Sequence, residues 1–313
     1  MKHKKLLIFL SLIIILTIAF FATSNYRASL AQNYVKNGDK LSQQQNYQEA
    51  VLEYRKARIL RLRNAEIAFK IAKTYYLLEK YDLSLSYYNK TIKLSPQNKD
   101  YYLATANCYW NVDNSSEAIF TLRQGVDKIS EPGAKKELNI LLGQIYLTQD
   151  ESEKARKAFE AAGSDFWQGI YSAYLEKYSE AANYFAKSDE ENAEKMAKTM
   201  AKIQKTANKV SKKAIFAAML NQIDAPRLAL PILKNLTSQN PDYRDGWVFL
   251  GYTYLELQKN NAAEEALLAA LNLDQIHPLT YELLVQVYKN KGDNKKSEGY
   301  SQKAIKLENP AGN

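Results

Sequence analysis

The sequence predicts an all-α protein, an α-solenoid of about eight antiparallel helix pairs preceded by one N-terminal transmembrane helix. Two observations lead to this prediction. Small and aromatic residues recur along much of the chain at a period of about 34 residues, which is typical of stacked helix pairs. A short basic segment at the N-terminus precedes an apolar run that is long enough to enter a membrane.

One stretch near the C-terminus indicates how such a pair is built. Trp247 supplies bulk on the inner face of the first helix. Gly251 and Ala263 are small, as the closest approach of two helices requires. Asn260 and Asn261 form the polar turn between the helices. The residues of this pattern are Trp247, Leu250, Gly251, Tyr254, Ala263, Leu267 and Ala270.

The same pattern recurs on both sides of this stretch. Ala263 corresponds to Ala229 and Ser297, one period away in each direction. In the N-terminal part the corresponding sets are Ala50, Ser84 and Ala118; Tyr54, Tyr88 and Leu122; and Ala57, Thr91 and Gly125. These residues and their spacing resemble the tetratricopeptide repeat. The resemblance implies an α-solenoid that holds peptides or protein segments in a concave groove, which the first helix of each repeat lines.

We expect four segments along the chain. They are a leader with cytoplasmic lysines, a signal anchor and a short linker (1–30), three repeats (31–132), two shortened repeats (133–189), and a long basic helix followed by repeats six to eight and a C-terminal cap (190–313). The shortening follows from Ala155 and Ala181, which occupy corresponding positions but lie closer together in the sequence than one period. Gly163 marks a break between the N-terminal and C-terminal parts of the array.

The N-terminus predicts a signal anchor. Basic residues between Lys2 and Lys5 precede an apolar run from Leu6 to Ala22. The length of this run is at the short end for a bilayer span. The alternative is cleavage after Ser24 or after Ala31, which would release a secreted protein. We favour the uncleaved anchor. Because the lysines precede the span, we expect a cytoplasmic N-terminus, with the repeats on the periplasmic or extracellular side.

The chain carries a formal net charge of +9, and part of this charge follows one predicted helix. From about 190 to 220 the sequence reads as one long amphipathic helix. Its lysines, here called the lysine ridge, are Lys195, Lys198, Lys202, Lys205, Lys209 and Lys212. Met196, Met200 and Ile203 lie on the opposite side. The lysine ridge is either a solvated face or a binding surface for an anionic partner, such as lipid head groups, an acidic protein or a wall polymer.

The sequence offers few residues for catalysis or metal binding. Cys108 is the single cysteine, and the two histidines are His3 in the leader and His277 at a repeat boundary. Neither a Gly-rich phosphate loop nor a nucleophile motif is visible. We therefore predict that the chain is not an enzyme and has neither a cofactor nor a metal. An enzyme with an unrecognised site in the array is the alternative.

Two groups of residues are candidate binding sites, because the register of the repeats places them on first helices. The first groove comprises Phe69, Lys70, Lys73, Tyr76, Asn107 and Trp110. Its lysines can hold an acidic side chain, and Trp110 can hold an apolar one. Leu103 stands where the chaperone-binding subtype of the family has a lysine, so we do not predict chaperone binding. The second groove comprises Phe249, Tyr252, Leu255, Leu283 and Gln286.

These observations predict a membrane-tethered, non-catalytic scaffold that binds peptide or protein segments in the groove of the repeats. The alternative is a helical-repeat protein that binds a polyanion, which could be nucleic acid, anionic lipid or wall polymer, through the lysine ridge. The export leader argues against nucleic acid. The sequence predicts neither the identity of the partner nor the oligomeric state of the chain.

Overall fold

The computed structural model of the chain describes residues 2–61 and 63–308, and these residues contain helices and no strands. The last residues of the predicted C-terminal cap, 309–313, lie outside the described residues. The chain divides into two compact units, Met1–Leu142 and Gly143–Asn313. They are called unit 1 and unit 2 below.

The described residues form seventeen helices. The first seven are α1 (Lys2–Gln43), α2 (Tyr47–Leu60), α3 (Ala65–Leu77), α4 (Tyr81–Leu94), α5 (Lys99–Asn111), α6 (Ser115–Lys128) and α7 (Pro132–Thr148). The others are α8 (Ser152–Ala162), α9 (Asp165–Tyr174), α10 (Tyr178–Lys187), α11 (Ala193–Lys205), α12 (Lys209–Gln222), α13 (Pro226–Gln239), α14 (Arg244–Glu256), α15 (Asn260–Leu273), α16 (Pro278–Asn290) and α17 (Asn294–Glu308).

Sixteen of these helices form eight consecutive pairs, and α11 is the additional one. The turn of each pair contains one residue with a positive φ angle. These residues are Gln45, Glu79, Asp113, Asp150, Glu176, Asp224, Gln258 and Gly292. The interval between Asp150 and Glu176 is the shortened one, and the helices around it have only 10 or 11 residues. The interval from Glu176 to Asp224 is the longest because it contains α11. The predicted all-α solenoid of about eight pairs is confirmed.

The left-handed residues in these turns predict how substitutions there change the free energy of unfolding. Seven of the eight positions hold a residue with a side chain, although the left-handed conformation costs such residues about 1 kcal/mol. We expect Glu79→Gly to raise the free energy of unfolding by about 0.5–1 kcal/mol, and Gly292→Ala to lower it by about 1 kcal/mol. A Cβ atom added at Gly292 meets nothing within 4 Å, so its cost is conformational. Denaturant unfolding measures both changes, and shifts of the same sign would contradict the prediction.

The recurring small residues lie in the core of the stack. Ala50, Ser84 and Ala118 are all 0% exposed, as the repeat period predicts. In four pairs a glycine on the first helix faces a large side chain on the second. These combinations are Gly38 with Tyr54, Gly143 with Phe159, Gly169 with Phe185 and Gly251 with Leu267. Each glycine allows its partner ring or leucine to lie directly against the helix backbone.

The predicted single helix over 190–220 is wrong. The structure divides this segment into α11 and α12, with residues 206–208 between them. Asn208 is the N-cap of α12, and its side-chain oxygen accepts hydrogen bonds from the backbone N–H groups of Val210 at 2.8 Å and Ser211 at 3.2 Å. Asparagine is among the preferred residues at this position, so the signal for the break was present in the sequence.

The short linker predicted before the first repeat is also absent from the described residues, because α1 continues through it. This helix runs from Lys2 to Gln43. Its second half packs on α2 through Ala31, Tyr34 and Val35. Its segment Ile13–Gln43 is the one described helix that is long and apolar enough to cross a membrane, and none of its apolar window is buried. The apolar segment and the first helix of repeat one are therefore one continuous helix.

Candidate functional site

The first groove is divided between structural and exposed side chains. Phe69 packs against the rings of Tyr88 and Tyr101, with centroid distances of 5.6 and 4.9 Å. Trp110 is buried at 6% exposure, so it offers little surface to a partner. Tyr76 is half-buried and contacts the edge of the Tyr81 ring at 5.6 Å. The aromatic members of this group thus serve mainly to pack the helices of unit 1.

Lys70 is engaged in an ion pair inside unit 1. Its Nζ lies 2.8 Å from Oδ1 of Asp39 on α1. The hydroxyl of Tyr54 donates to the same oxygen at 2.7 Å. Burial, together with this hydrogen bond to Asp39, raises the pKa of Tyr54 above its ordinary value, so the hydroxyl keeps its proton. Lys70 is therefore used to connect the first two repeats.

Lys73 and Asn107 are the exposed members of the first groove. They lie one period apart, at corresponding positions on α3 and α5. An ammonium group can bind a carboxylate, and the amide can bind a peptide backbone. The predicted binding role of the first groove stays a prediction and rests on these two residues.

The second groove is partly core. Leu255 and Leu283 are buried at 8% and 4% exposure, and they belong to the hydrophobic core formed by α14, α15 and α16. Phe249 and Tyr252 are half-buried and Gln286 is exposed. A partner can therefore reach only the two aromatic side chains and the amide beside them. This accessible surface is smaller than the predicted apolar groove.

The lysine ridge is split by the break between α11 and α12. Four lysines lie on α11, where Lys195, Lys198, Lys202 and Lys205 are exposed. The two others lie on α12, where Lys212 is half-buried. Met196, Met200 and Ile203 are 0% exposed on the other side of α11. The opposition of lysines and methionines is as predicted over α11, but the continuous ridge of six lysines is not formed.

The structure contains a cleft in unit 2 that the sequence analysis did not identify. Its volume is about 340 Å³. It is lined by Asp150, Ala173, Tyr174, Glu176, Tyr178, Lys213, Phe216, Pro231, Ile232 and Asn235. Phe216, Pro231 and Ile232 supply apolar surface, while Glu176 and Lys213 supply charge. Pro231 lies inside α13 and lacks the N–H group that a helix interior uses, which was the one available sequence signal.

The titratable groups in this cleft have shifted pKa values, which keep Glu176 ionised and the tyrosines protonated. Burial opposes ionisation of Glu176, but hydrogen bonds and charges from Lys213 and Lys209 lower its pKa overall. The carboxylate lies 3.2 Å from Nζ of Lys213 and 3.4 Å from Nζ of Lys209. Burial raises the pKa of Tyr174 and of Tyr178 to about 12. The cleft can therefore offer neutral hydroxyl donors, an ion pair and an apolar surface to a side chain of a partner.

Cys108 is buried at 0% exposure, with its Sγ 3.8 Å from Oγ of Ser84. Burial raises the pKa of its thiol to about 11. Since the thiolate is the reactive form, we expect iodoacetamide to modify Cys108 at neutral pH only as fast as the chain unfolds. Mass spectrometry along a denaturant series measures this, and rapid modification of the native chain would contradict it.

Among the described residues, no group of three or more His, Cys, Asp or Glu side chains is placed to hold a metal ion.

Solved structures of other proteins are similar to this chain at low sequence identity. The MamA protein is 20% identical, with a TM-score of 0.43, over 57% of this chain and 97% of that one. PilF of Pseudomonas aeruginosa is 15% identical, with a TM-score of 0.46, over 75% of this chain and 98% of that one. The Cut9-Hcn1 tetramer of APC/C is 13% identical, with a TM-score of 0.43, over 84% and 48%. No curated protein matches the chain significantly.

Family models give a direct assignment of the repeats. One tetratricopeptide-repeat model matches residues 35–99. A second one matches 137–162, 245–277 and 279–310. These segments coincide with helix pairs of the fold, and they include the stretch around Trp247 from which the pattern was first described. The fold implies a scaffold for protein–protein interaction. The chain thus contains tetratricopeptide repeats in both of its units.

Proposed function

We propose that the chain is a membrane-tethered, non-catalytic scaffold that holds protein segments close to a bilayer. The observation that carries the tether is the continuity of α1. The large apolar side chains between Ile13 and Phe21 are exposed, with Leu16 at 65%, Ile18 at 63% and Phe20 at 69%. Such a surface is unfavourable in water and favourable in lipid. The same helix continues into the first repeat, so the array would begin at the membrane surface.

The proposed binding surfaces are Lys73 with Asn107 in unit 1 and the cleft around Lys213 in unit 2. The first offers an ammonium group and an amide to a peptide, and the second combines polar groups with an aromatic surface. We expect Lys73→Glu with Asn107→Ala to weaken binding of a unit 1 partner at least about tenfold, since losing two polar contacts costs roughly 1–3 kcal/mol. Lys93→Glu, an exposed change on α4, is the matched control.

The partner is sought by affinity purification of the full chain from a detergent extract. The control is the same repeats behind an unrelated membrane leader. Proteins recovered with the natural chain, and lost in the Lys73 and Asn107 variant, would support the scaffold. Recovery of no protein above the control would overturn it.

The tether and its orientation are tested by membrane fractionation with N-terminal sequencing, followed by protease digestion of intact and permeabilised cells. We expect an intact N-terminus in the membrane fraction, with repeats digested before the cytoplasm is opened. A soluble product beginning after Ser24 or Ala31 would mean a cleaved leader.

The basic residues of α2 lie on the repeat side of the span, so the charge difference across the span is small. The orientation is therefore measured directly.

The polyanion alternative has less support. The break at Asn208 leaves four lysines in one row on α11, and Lys209 of α12 pairs with Glu176. Binding of single-stranded RNA that falls steeply with salt, and disappears when the lysines of the ridge are replaced, would favour this alternative.

A further inference from the structure

A second cleft lies in unit 1, where α1 passes the end of α2. Its volume is about 160 Å³. It is lined by Phe20, Thr23, Ser24, Arg27, Leu60 and Arg61. Arg27 and Arg61 are therefore brought together although they lie far apart in the sequence. The cleft is open at its rim to the surroundings of α1.

Helix geometry predicts where this cleft would lie relative to a bilayer. The apolar run ends at Ala22, and a helix rises about 1.5 Å per residue. Arg27 thus lies roughly 7–8 Å beyond the end of the run. The head-group layer on each side of a bilayer is about 5–8 Å thick. Arg61 shares the cleft with Thr23 and Ser24, so both guanidinium groups would lie at the depth of the lipid phosphates.

Neither guanidinium group has an anionic partner in the part of the chain that the structure describes. Among the described residues, no carboxylate forms an ion pair with Arg27 or Arg61, whereas Lys56 of the same helix pair is bound to Glu53 at 2.5 Å. The hydroxyl of Thr23 donates to backbone carbonyls of α1. Arginine binds phosphate oxygens through two parallel N–H groups. The cleft therefore presents unneutralised phosphate-binding groups.

The outer face of α2 has the character of an interfacial surface. Leu52 is 55% exposed and Ile59 is 67% exposed, and they lie two turns apart on one face of the helix. Arg55 lies between them and is exposed. Exposed apolar side chains flanked by arginines are typical of helices that lie in a membrane interface. Ile59 is close to Arg61, at the end of α2 that approaches the apolar run.

We propose that Arg27 and Arg61 bind the phosphate groups of anionic phospholipids in the leaflet next to the repeats, with Ile59 inserted beside them. This inference rests on the proposed membrane tether. The span alone holds unit 1 at the bilayer. The arginine cleft then sets the angle at which unit 1 lies against the surface. The opposite charges of lipid and guanidinium select anionic over neutral head groups.

The test uses the full chain with Ile59→Cys, labelled with an environment-sensitive dye and reconstituted into vesicles. Cys108 is buried, so the dye reacts at residue 59. One set of vesicles is phosphatidylcholine, and the other contains about a third phosphatidylglycerol. Brominated lipids quench a dye that enters the interface. We expect strong quenching with the anionic lipid and weak quenching without it. Arg27→Gln and Arg61→Gln should each lower the ratio of quenched to unquenched dye about fivefold, the effect of one basic residue near an anionic surface.

The controls separate this inference from the tether. Flotation with both kinds of vesicle that resists high salt supports the tether alone, and failure to float would overturn the tether. If the chain floats but the dye at residue 59 responds equally in both vesicles, the phospholipid site is wrong. The matched control, Arg123→Gln on the exposed side of α6, removes the same charge elsewhere in unit 1. An equal loss of quenching in this control would also overturn the site.

Discussion

Replacing Phe159 by alanine should lower the free energy of unfolding of the chain by about 3–5 kcal/mol. Phe159 is 0% exposed, and its ring stacks on Trp167 with centroids 5.7 Å apart. Gly143 of α7 also lies directly against this ring. Truncation would leave a cavity among α7, α8 and α9, and α8 and α9 are among the shortest helices in the fold. The midpoint and slope of denaturant unfolding, followed by tryptophan fluorescence, measure the change.

Phe120→Ala is the matched control for this prediction. Phe120 is 57% exposed, so its removal should change stability by no more than about 0.5 kcal/mol. Similar losses for both variants would mean that burial of Phe159 is not what stabilises the two shortened repeats.

Gly251→Ala should lower the free energy of unfolding by about 1–3 kcal/mol, the usual cost of overfilling a packed site. A Cβ atom added at Gly251 would lie 2.5 Å from Cγ of Leu267 and 3.4 Å from the carbonyl oxygen of Ala263. Leu267 is 0% exposed and belongs to the hydrophobic core cluster of these helices. The two helices of the repeat must therefore separate. Thermal and denaturant unfolding both measure the loss.

Gly299→Ala is the same chemical change, but we expect it to raise the free energy of unfolding instead of lowering it. Gly299 lies in α17, and a Cβ atom added there meets nothing within 4 Å. Alanine is the better helix former, so this variant should gain about 0.5–1 kcal/mol. A loss of stability at Gly299, or a gain at Gly251, would show that close packing does not determine which glycines the repeats need.

The repeating core was predictable from the sequence because it depends on a period. Ala50, Ser84 and Ala118 occupy one position in three successive repeats, and a small buried residue is required there each time. The left-handed turns have the same periodic origin, yet Gln45 and Glu79 are not residue types that favour this conformation. Local preference is overridden at these turns by the packing of the helices on either side.

The individual site residues were less predictable because their partners are distant in the sequence. Lys70 was assigned to a binding groove, but Asp39 on another helix pairs with it. The break at Asn208 is not predicted by the pattern because lysines and apolar residues lie on opposite sides both before and after it. The cleft in unit 2 is formed by Pro231 and by side chains that lie far from it in the sequence, such as Tyr174 and Glu176, and the repeating pattern does not specify these residues.

The unbroken course of α1 has a mechanical consequence. From Ala22 to Gln43 the helix rises roughly 30 Å, and it has no glycine-rich or proline-containing hinge. A flexible linker before the first repeat would let the array change its orientation freely. Each binding event would then cost chain entropy, because the orientation has to be fixed when a partner is positioned. A stiff helix acts as a lever arm. With the proposed membrane span, tilting α1 in the bilayer would tilt the first repeat by the same angle, so a change in membrane thickness would be transmitted as a displacement of whatever the array holds.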